Sequence, residues 1–377
     1  VGKLKPVLHV RSSGGLYGAE RSLMSLAAHT PPPFAPLLLS LVPPGRADAL
    51  VPEARRLGLK ALSIPARSGF DAEAVRSLAA EARRLSACLF HAHDFKSLAL
   101  ALPAARWAGL PVVATFHGDT GENLLVQAYE ASARLLANAV QGVAVVSREL
   151  EARVRRWAPL ARVMHLPNAL ALPAPLTANE ARAARHELGL SDAEPTLAVL
   201  GRLSPEKGHA VLFEALRRLP RPPLLLIAGE GPERARLEVL ARGLPVRWLG
   251  FTASRPVYAA ADAVVMPSLT EGMPMVALET MASGRRLVAS AVGALPYLLA
   301  QGRGELVPPS HPHLLSLALA RVLRAVADEG RDFLGARAHV ERRYAPEAVG
   351  RRYADELYAG AVERYARISS APTSPQA

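Results

Sequence analysis

Short apolar runs alternate with longer amphipathic ones along this chain. PVLHV is followed by AERSLMSLAAHT, PLLLSLV by RADALVPEARRLG, ACLFHAH by KSLALALPAARWAG, then PVVATFH, and GVAVVS by RELEARVRRWA. Runs of this length read as buried strands and the amphipathic stretches as helices, which predicts βα units around a parallel sheet. After VMHLPN comes ALALPAPLTAN, whose Pro and Ala suit a linker, and a second series opens with PTLAVLGRL. It continues through HAVLFEALRRL, PLLLIAGE, ERARLEVLARG, VRWLGF, DAVVMPS, PMVALETMASG and RLVASAV.

The expected fold class is therefore α/β, with two doubly wound, Rossmann-like domains over residues 1–170 and 171–345. Val349, Tyr353, Leu357, Tyr358, Val362 and Tyr365 fall at helical spacing, so a C-terminal helix over 346–367 is expected to pack back on the body, with 368–377 as a flexible tail. Ligands of doubly wound sheets bind beyond the carboxyl ends of the strands. With two such halves the natural site is the cleft between them, built from loops that follow strands.

Composition narrows the function classes. Of 377 residues, 50% are hydrophobic and 21% charged, which excludes a disordered or collagen-like chain. Lys+Arg outnumber Asp+Glu by 45 to 33, and lysine occupies only positions 3, 5, 60, 96 and 207, so the basicity is almost wholly guanidinium. Such charge favours phosphates, nucleic acid or an anionic membrane surface, although a GC-rich genome yields the same Arg/Ala bias. The single Cys88, in ACLF, forms no internal disulfide and suits an inert thiol in a reducing cytoplasm. VGKLKPVLHV lacks a signal-peptide pattern, and no apolar run reaches about 18 residues without Arg or Pro, so any membrane contact is expected to be peripheral.

The loop richest in chemistry lies in DAVVMPSLTEGMPMVALETMASG. A strand ends near Ser268, Glu271 and Gly272 follow, and Pro274 sits where a helix begins, a position for which its fixed φ is preorganised. The amides around Met273, Met275 and Val276 then point out of a helix N-terminus, which favours an anion such as a diphosphate. Glu279 shares the helix face of Met275 and Val276, so two carboxylates, Glu271 and Glu279, reach one mouth and can accept hydrogen bonds from sugar hydroxyls. Taken singly, they also read as a solvated helix glutamate and a loop charge.

In GRLSPEKGH, Arg202 and Lys207 flank a turn made by Pro205 and Gly208. Two cations around one tight loop can meet a diphosphate from both sides and neutralise a leaving group; in isolation they are surface charge. Gly229 and Gly231 in IAGEGPE permit either close approach of a ligand or simply a turn. Gly14 and Gly15 follow the first strand without forming G-x-G-x-x-G, which suits a loop beneath phosphates or a plain turn. His91 and His93 alternate along one strand and His117 ends another. A His-x-His with a distant third histidine can bind zinc; the other readings are contact of His117 with a substrate and satisfied structural histidines. Asp-x-Asp, a common carboxylate motif for a metal-bound nucleotide, is absent from the sequence.

At EGMPMVALE, read with GRLSPEKG, TFHGD and LPNA, nearly the whole chain resembles the family-4 retaining, nucleotide-sugar-dependent glycosyltransferases of the GT-B fold. The resemblance implies that Arg202 and Lys207 hold the donor diphosphate, Glu279 the ribose diol and Glu271 the transferred sugar. Gly272, Met273, Pro274, Met275 and Val276 line the sugar and phosphate pocket, and Leu249, Gly250 and Phe251 lie near the nucleobase. His117 sits beside the donor sugar, and Gly14 and Gly15 face the diphosphate. The family works without a metal, so no cofactor is expected beyond the nucleoside-diphosphate-sugar donor.

The expected acceptor is a glycan or a polyprenyl-linked sugar at the cytoplasmic leaflet, as in bacterial surface polysaccharide assembly. Two departures stand out: Ala169 after PN, where the family often has Gly, and VGALPYLL, with Ala294 and Tyr297, where it often has GG-x-x-E. Two other classes are a basic nucleic-acid-binding protein and a zinc hydrolase using His91, His93 and His117. The scarcity of aromatics, at 5%, and the lack of a recognition module argue against a nucleic-acid partner.

Overall fold

A computed structural model describes residues 3–12, 15–67, 71–117 and 135–370. The chain divides into two units, Val1–Ala171 with Tyr344–Ala377, and Leu172–Arg343. In the first, β1 (Lys5–Arg11), β2 (Phe34–Val42), β3 (Ala61–Pro65), β4 (Leu89–Ala92), β5 (Val112–Phe116), β6 (Gly142–Val145) and β7 (Val163–His165) form one sheet in the order β3-β2-β1-β4-β5-β6-β7. Every pairing is parallel. Leu38 on one face of β2 and Leu39 and Leu41 on the other are all fully buried, as helices on both sides of a parallel sheet require.

The second unit repeats the plan with β8 (Thr196–Leu200), β9 (Leu224–Ala228), β10 (Val246–Gly250), β11 (Ala263–Met266), β12 (Arg286–Ser290) and β13 (Glu305–Val307), in the order β10-β9-β8-β11-β12-β13. These pairings are parallel too. Each sheet starts from its middle and winds outward in two directions, so the winding reverses between β1 and β4 and between β8 and β11. The crevice left at such a reversal is where doubly wound sheets bind ligands.

Several elements lie where the hydrophobic pattern assigned none: β3, the helix Ala72–Arg84, the helix Ser254–Ala260, β13 and the helix Pro312–Glu329. The C-terminal segment differs from the single helix expected. It consists of an α-helix Pro346–Arg352, a π turn Tyr353–Ala359 and an α-helix Gly360–Ser369, which runs past the expected start of the tail. The wider turn admits an extra residue. Tyr353, Leu357 and Tyr358 all face inward there, and Val349, Leu357 and Tyr358 pack with Val7, Leu89 and Val113 of the first sheet.

One buried charge organises the second unit. Arg185, fully buried on the helix Ala178–Glu187, donates to the carbonyls of Ser191, Ala260 and Glu194 and lies 3.6 Å from the Asp262 carboxylate. Asp262 in turn accepts from the Thr196 amide at 2.7 Å, tying the starts of β8 and β11 together. Truncating Arg185 leaves these buried carbonyls short of a donor and weakens the pairing of Asp262, which keeps Arg331 at 2.5 Å. Arg185→Ala is therefore expected to cost about 3–5 kcal/mol of unfolding free energy. Urea denaturation checks this, and an unchanged midpoint would contradict it.

Candidate functional site

The reversal point of the second sheet is built by backbone packing between loops. A 3-10 turn Pro205–Lys207 follows β8 and ends at Gly208, whose φ of +66° is left-handed. A Cβ at Gly208 would fall 2.0 Å from the Pro267 carbonyl oxygen, so only glycine lets this turn lie against the end of β11. The Leu269 amide donates to the Glu206 carbonyl at 2.7 Å and closes the same seam. Gly229, directly after β9, acts likewise toward the end of β8: at φ +152° its Cβ would stand 1.8 Å from the Gly201 carbonyl oxygen. A Cβ at Gly231 would meet the Leu203 carbonyl at 2.3 Å. Both glycines thus serve the approach of one protein loop to another.

This packing brings two of the expected residues into contact. Lys207 Nζ donates to Glu271 Oε1 at 2.8 Å, and Ser268 Oγ donates to the same oxygen at 2.7 Å. Both bonds fall on one carboxylate oxygen, so the other can accept from a ligand hydroxyl. The Ala294 amide donates to the Gly272 carbonyl at 2.8 Å and pins the loop after β11 to the one after β12. Pro274 is the N-cap, not the first helical residue, with ψ 125°; the helix is Met275–Ala282. The first-turn amides of Met275 and Val276 have no preceding carbonyl within the helix to bond. Met273 and Met275 are buried against the body, and Glu279 accepts from the Tyr258 hydroxyl through Oε2 at 2.7 Å.

Arg202 is exposed at the end of β8. Leu249 and Gly250 close β10, the Gly250 carbonyl accepts from the Gly229 amide at 2.8 Å, and the Phe251 ring is 69% exposed. His209, which opens the next helix, is buried with neither ring nitrogen hydrogen-bonded, and burial lowers it to about 4. Tyr258 and His209 escaped the sequence reading. Nothing in local spacing ties Tyr258 to a carboxylate 21 residues away.

The first unit's reversal point carries a different chemistry. Arg11 donates from Nε to the buried Glu20 at 2.9 Å and from Nη1 to the His93 carbonyl at 2.7 Å, while Asp94 accepts from the Ser12 amide at 2.7 Å. Gly15 lies in the loop they brace; Gly14 lies outside the described residues. The trio His91, His93 and His117 is not the cluster that forms. The imidazoles whose ligand atoms all lie within 4.8 Å of one another are His9, His91 and His93, and the His117 ring stands 6.0 Å from that of His93. Strand register explains it, since His9 of β1 pairs directly with His91 of β4.

His91 bonds Thr115 Oγ1 at 2.7 Å and Tyr358 OH at 3.0 Å, and His9 Nδ1 meets His93 Nε2 at 3.0 Å. Both nitrogens of His91 are thus engaged, and the His9–His93 bond uses one nitrogen of each ring, so the trio is arranged as a neutral hydrogen-bond network, and a metal would have to displace the bond that His91 accepts. His117 lines a water-sized cavity with Ser22, His93, Thr115 and Tyr353. Neither of its ring nitrogens makes a well-formed hydrogen bond, although the nearby Asn168 side chain offsets part of the effect of burial. Cys88 is partly buried, and burial pushes its thiol up to about 11, an inert thiol.

Burial lowers His9 and His117 to about 3 and holds His91 and His93 well below the ordinary histidine value. Below pH 6.5 the unfolded chain takes up protons that the folded chain refuses, so this stability is fully present above that pH and is lost as pH falls. The slope approaches about 1.4 kcal/mol per histidine per pH unit. Between pH 7 and pH 5, before most carboxylates titrate, the urea midpoint of the first unit's transition should drop steeply; a flat profile would contradict this.

Comparison with known proteins bears on the whole chain. Residues 17–172 match the model for Glycosyltransferase Family 4 and residues 194–325 the model for Glycosyl transferases group 1. The phosphatidyl-myo-inositol mannosyltransferase of Mycobacterium tuberculosis is 28% identical over 306 residues, which is 77% of this chain and 79% of that protein. A D-inositol 3-phosphate glycosyltransferase of Mycobacteroides abscessus is 36% identical over 146 residues, 36% of this chain. The chain spans 33–47% of the length of it and two other curated relatives at 33–36% identity. Among solved structures, Anabaena HepE in complex with UDP and glucose superposes with a TM-score of 0.81 at 21% identity, covering 94% of this chain and all of that one. The two family models fall one on each parallel sheet, and the chain belongs to the family-4, group-1 glycosyltransferases, with their GT-B fold.

Proposed function

We propose that this protein transfers a sugar from a nucleoside diphosphate sugar to a glycan or lipid-linked acceptor with retention of configuration, in the assembly of a bacterial surface polysaccharide. The observation that carries this reading is the Lys207–Glu271 contact at the reversal of the second sheet, where a fixed cation and a sugar-binding carboxylate meet. HepE in its complexes with UDP-glucose and with UDP and glucose supplies the donor class, and the mannosyltransferases acting on phosphatidylinositol lipids supply the acceptor class.

In this reading Arg202, Lys207 and the amides of Met275 and Val276 take up the charge that grows on the departing diphosphate. Electrostatic stabilisation prearranged in this way costs no reorganisation at the moment of bond breaking. Glu271 accepts from a sugar hydroxyl through the oxygen that Lys207 and Ser268 leave free, and Glu279 accepts from the ribose diol. His117, neutral at physiological pH, contacts the donor sugar as an uncharged partner. The exposed Phe251 ring and the backbone of Leu249 and Gly250 form a platform for the base. The chemistry requires no metal from these residues. Peripheral contact with an anionic leaflet accords with the net charge of +12; among the described residues no helix is long and apolar enough to cross a membrane.

Lys207 and Glu279 sit on a loop and a partly exposed helix position, so Lys207→Ala and Glu279→Ala are expected to fold, with some loss of melting temperature from the broken Glu271 and Tyr258 contacts, while lowering kcat/KM about 100-fold or more. Sugar transfer from a panel of UDP- and GDP-sugars, followed by release of the nucleoside diphosphate, provides the measurement. Wild-type turnover in either variant would overturn the assignment. A cognate nucleoside diphosphate is expected to raise the melting temperature of the unsubstituted chain, because it binds only the folded state.

A further inference from the structure

We propose that Tyr258 is a positioning residue for donor binding, setting the carboxylate of Glu279 in the orientation that receives the ribose diol. The inference rests on the reading of Glu279 given above. Tyr258 lies on the helix Ser254–Ala260, which leads into β11, and Glu279 lies on the helix that follows β11. The hydroxyl of Tyr258 donates to Glu279 Oε2 at 2.7 Å, the short distance of a charge-assisted bond.

The donor is rigidly held. Tyr258 is only 2% exposed, so its ring has one packed position, and its backbone carbonyl accepts from Arg285 Nε at 2.9 Å. Arg285, itself 2% exposed, also bonds the Ala259 carbonyl at 3.4 Å and the Asp332 carboxylate at 2.6 Å, which anchors the C-terminal end of the Tyr258 helix to the segment after Glu329. A glutamate on a helix surface ordinarily samples several rotamers, each with loss of side-chain entropy on binding. One short bond to a buried, immobile hydroxyl removes that freedom before the donor arrives. It also commits Oε2 to the protein. Tyr258 touches neither the diphosphate nor the reacting carbon in this scheme, so its effect falls on affinity for the nucleotide and spares the chemical step.

Binding of a nucleoside diphosphate and its 2′,3′-dideoxyribose analogue to the full chain, measured by calorimetry, tests the proposal. The unsubstituted protein should prefer the ribose form, and Glu279→Ala should abolish that preference. Tyr258→Phe should shrink the preference about ten-fold and raise the donor KM correspondingly, with kcat held within about two-fold. The ratio of two affinities in one sample does not depend on the folded fraction, so partial misfolding cannot imitate the result. In the Glu279→Ala background Tyr258→Phe should have no further effect on the ratio. If Glu279→Ala keeps the ribose preference, the assignment of Glu279 fails. If Glu279→Ala loses it while Tyr258→Phe retains the full ratio, that assignment stands and the positioning role of Tyr258 is wrong.

Discussion

Two strands of a sheet can run parallel only if the chain crosses back between them, and a chain that does this first on one side and then on the other must reverse its winding once. Both sheets obey that constraint, at β1/β4 and at β8/β11. At a reversal the two flanking helices cover opposite faces, and the loops at the carboxyl ends of the central strands are left facing a crevice. The residues to which we assign a part in donor binding by the second unit lie at the carboxyl end of β10 or on the loops and helices that follow β8, β10 and β11. The Lys207–Glu271 contact is the visible result: the two side chains are 64 positions apart in sequence and 2.8 Å apart in space.

The loops at that reversal are rigid for a steric reason. Glycine at 208 and 229 lets one backbone pass within a distance that any side chain would forbid, and the carbonyls of Pro267 and Gly201 occupy the space where a Cβ would stand. A site assembled in this way needs little ordering when a ligand arrives, which lowers the entropic cost of binding. Two hydroxyls, from Ser268 and Tyr258, extend the same logic to the side chains, each fixing one carboxylate through a single oxygen. The first unit solves its own problem differently. Three neutral histidines, His9, His91 and His93, are buried there, and the π turn of the C-terminal segment delivers Tyr353 and Tyr358 to face His91.

Much of the architecture was legible because parallel strands buried on both faces must be continuously apolar, and runs such as PLLLSLV and DAVVMPS leave little alternative. Two of the unread elements have broken patterns. β3 exposes Ser63 and Pro65 and is an edge strand, so its pattern is broken. The helix Ser254–Ala260 is short and carries Pro256 in its first turn, which reads as a loop. Within the site, Arg202, Lys207, Glu271 and Glu279 were singled out because a cation pair around a Gly turn and a carboxylate pair around a helix start are local patterns. Tyr258, His209 and His9 were not, since each matters only through a partner far along the chain.

The sequence by itself determined the α/β class, the two series of βα units and the loops where polar chemistry gathers, because hydrophobic periodicity and turn-forming residues act over a few neighbours. Tertiary structure alone decided which loops meet, that His9 and not His117 joins His91 and His93, and that the C-terminal segment widens into a π turn to reach them. Those outcomes depend on strand order and register, which are set by the packing free energy of the whole sheet and leave no mark in the spacing of adjacent residues.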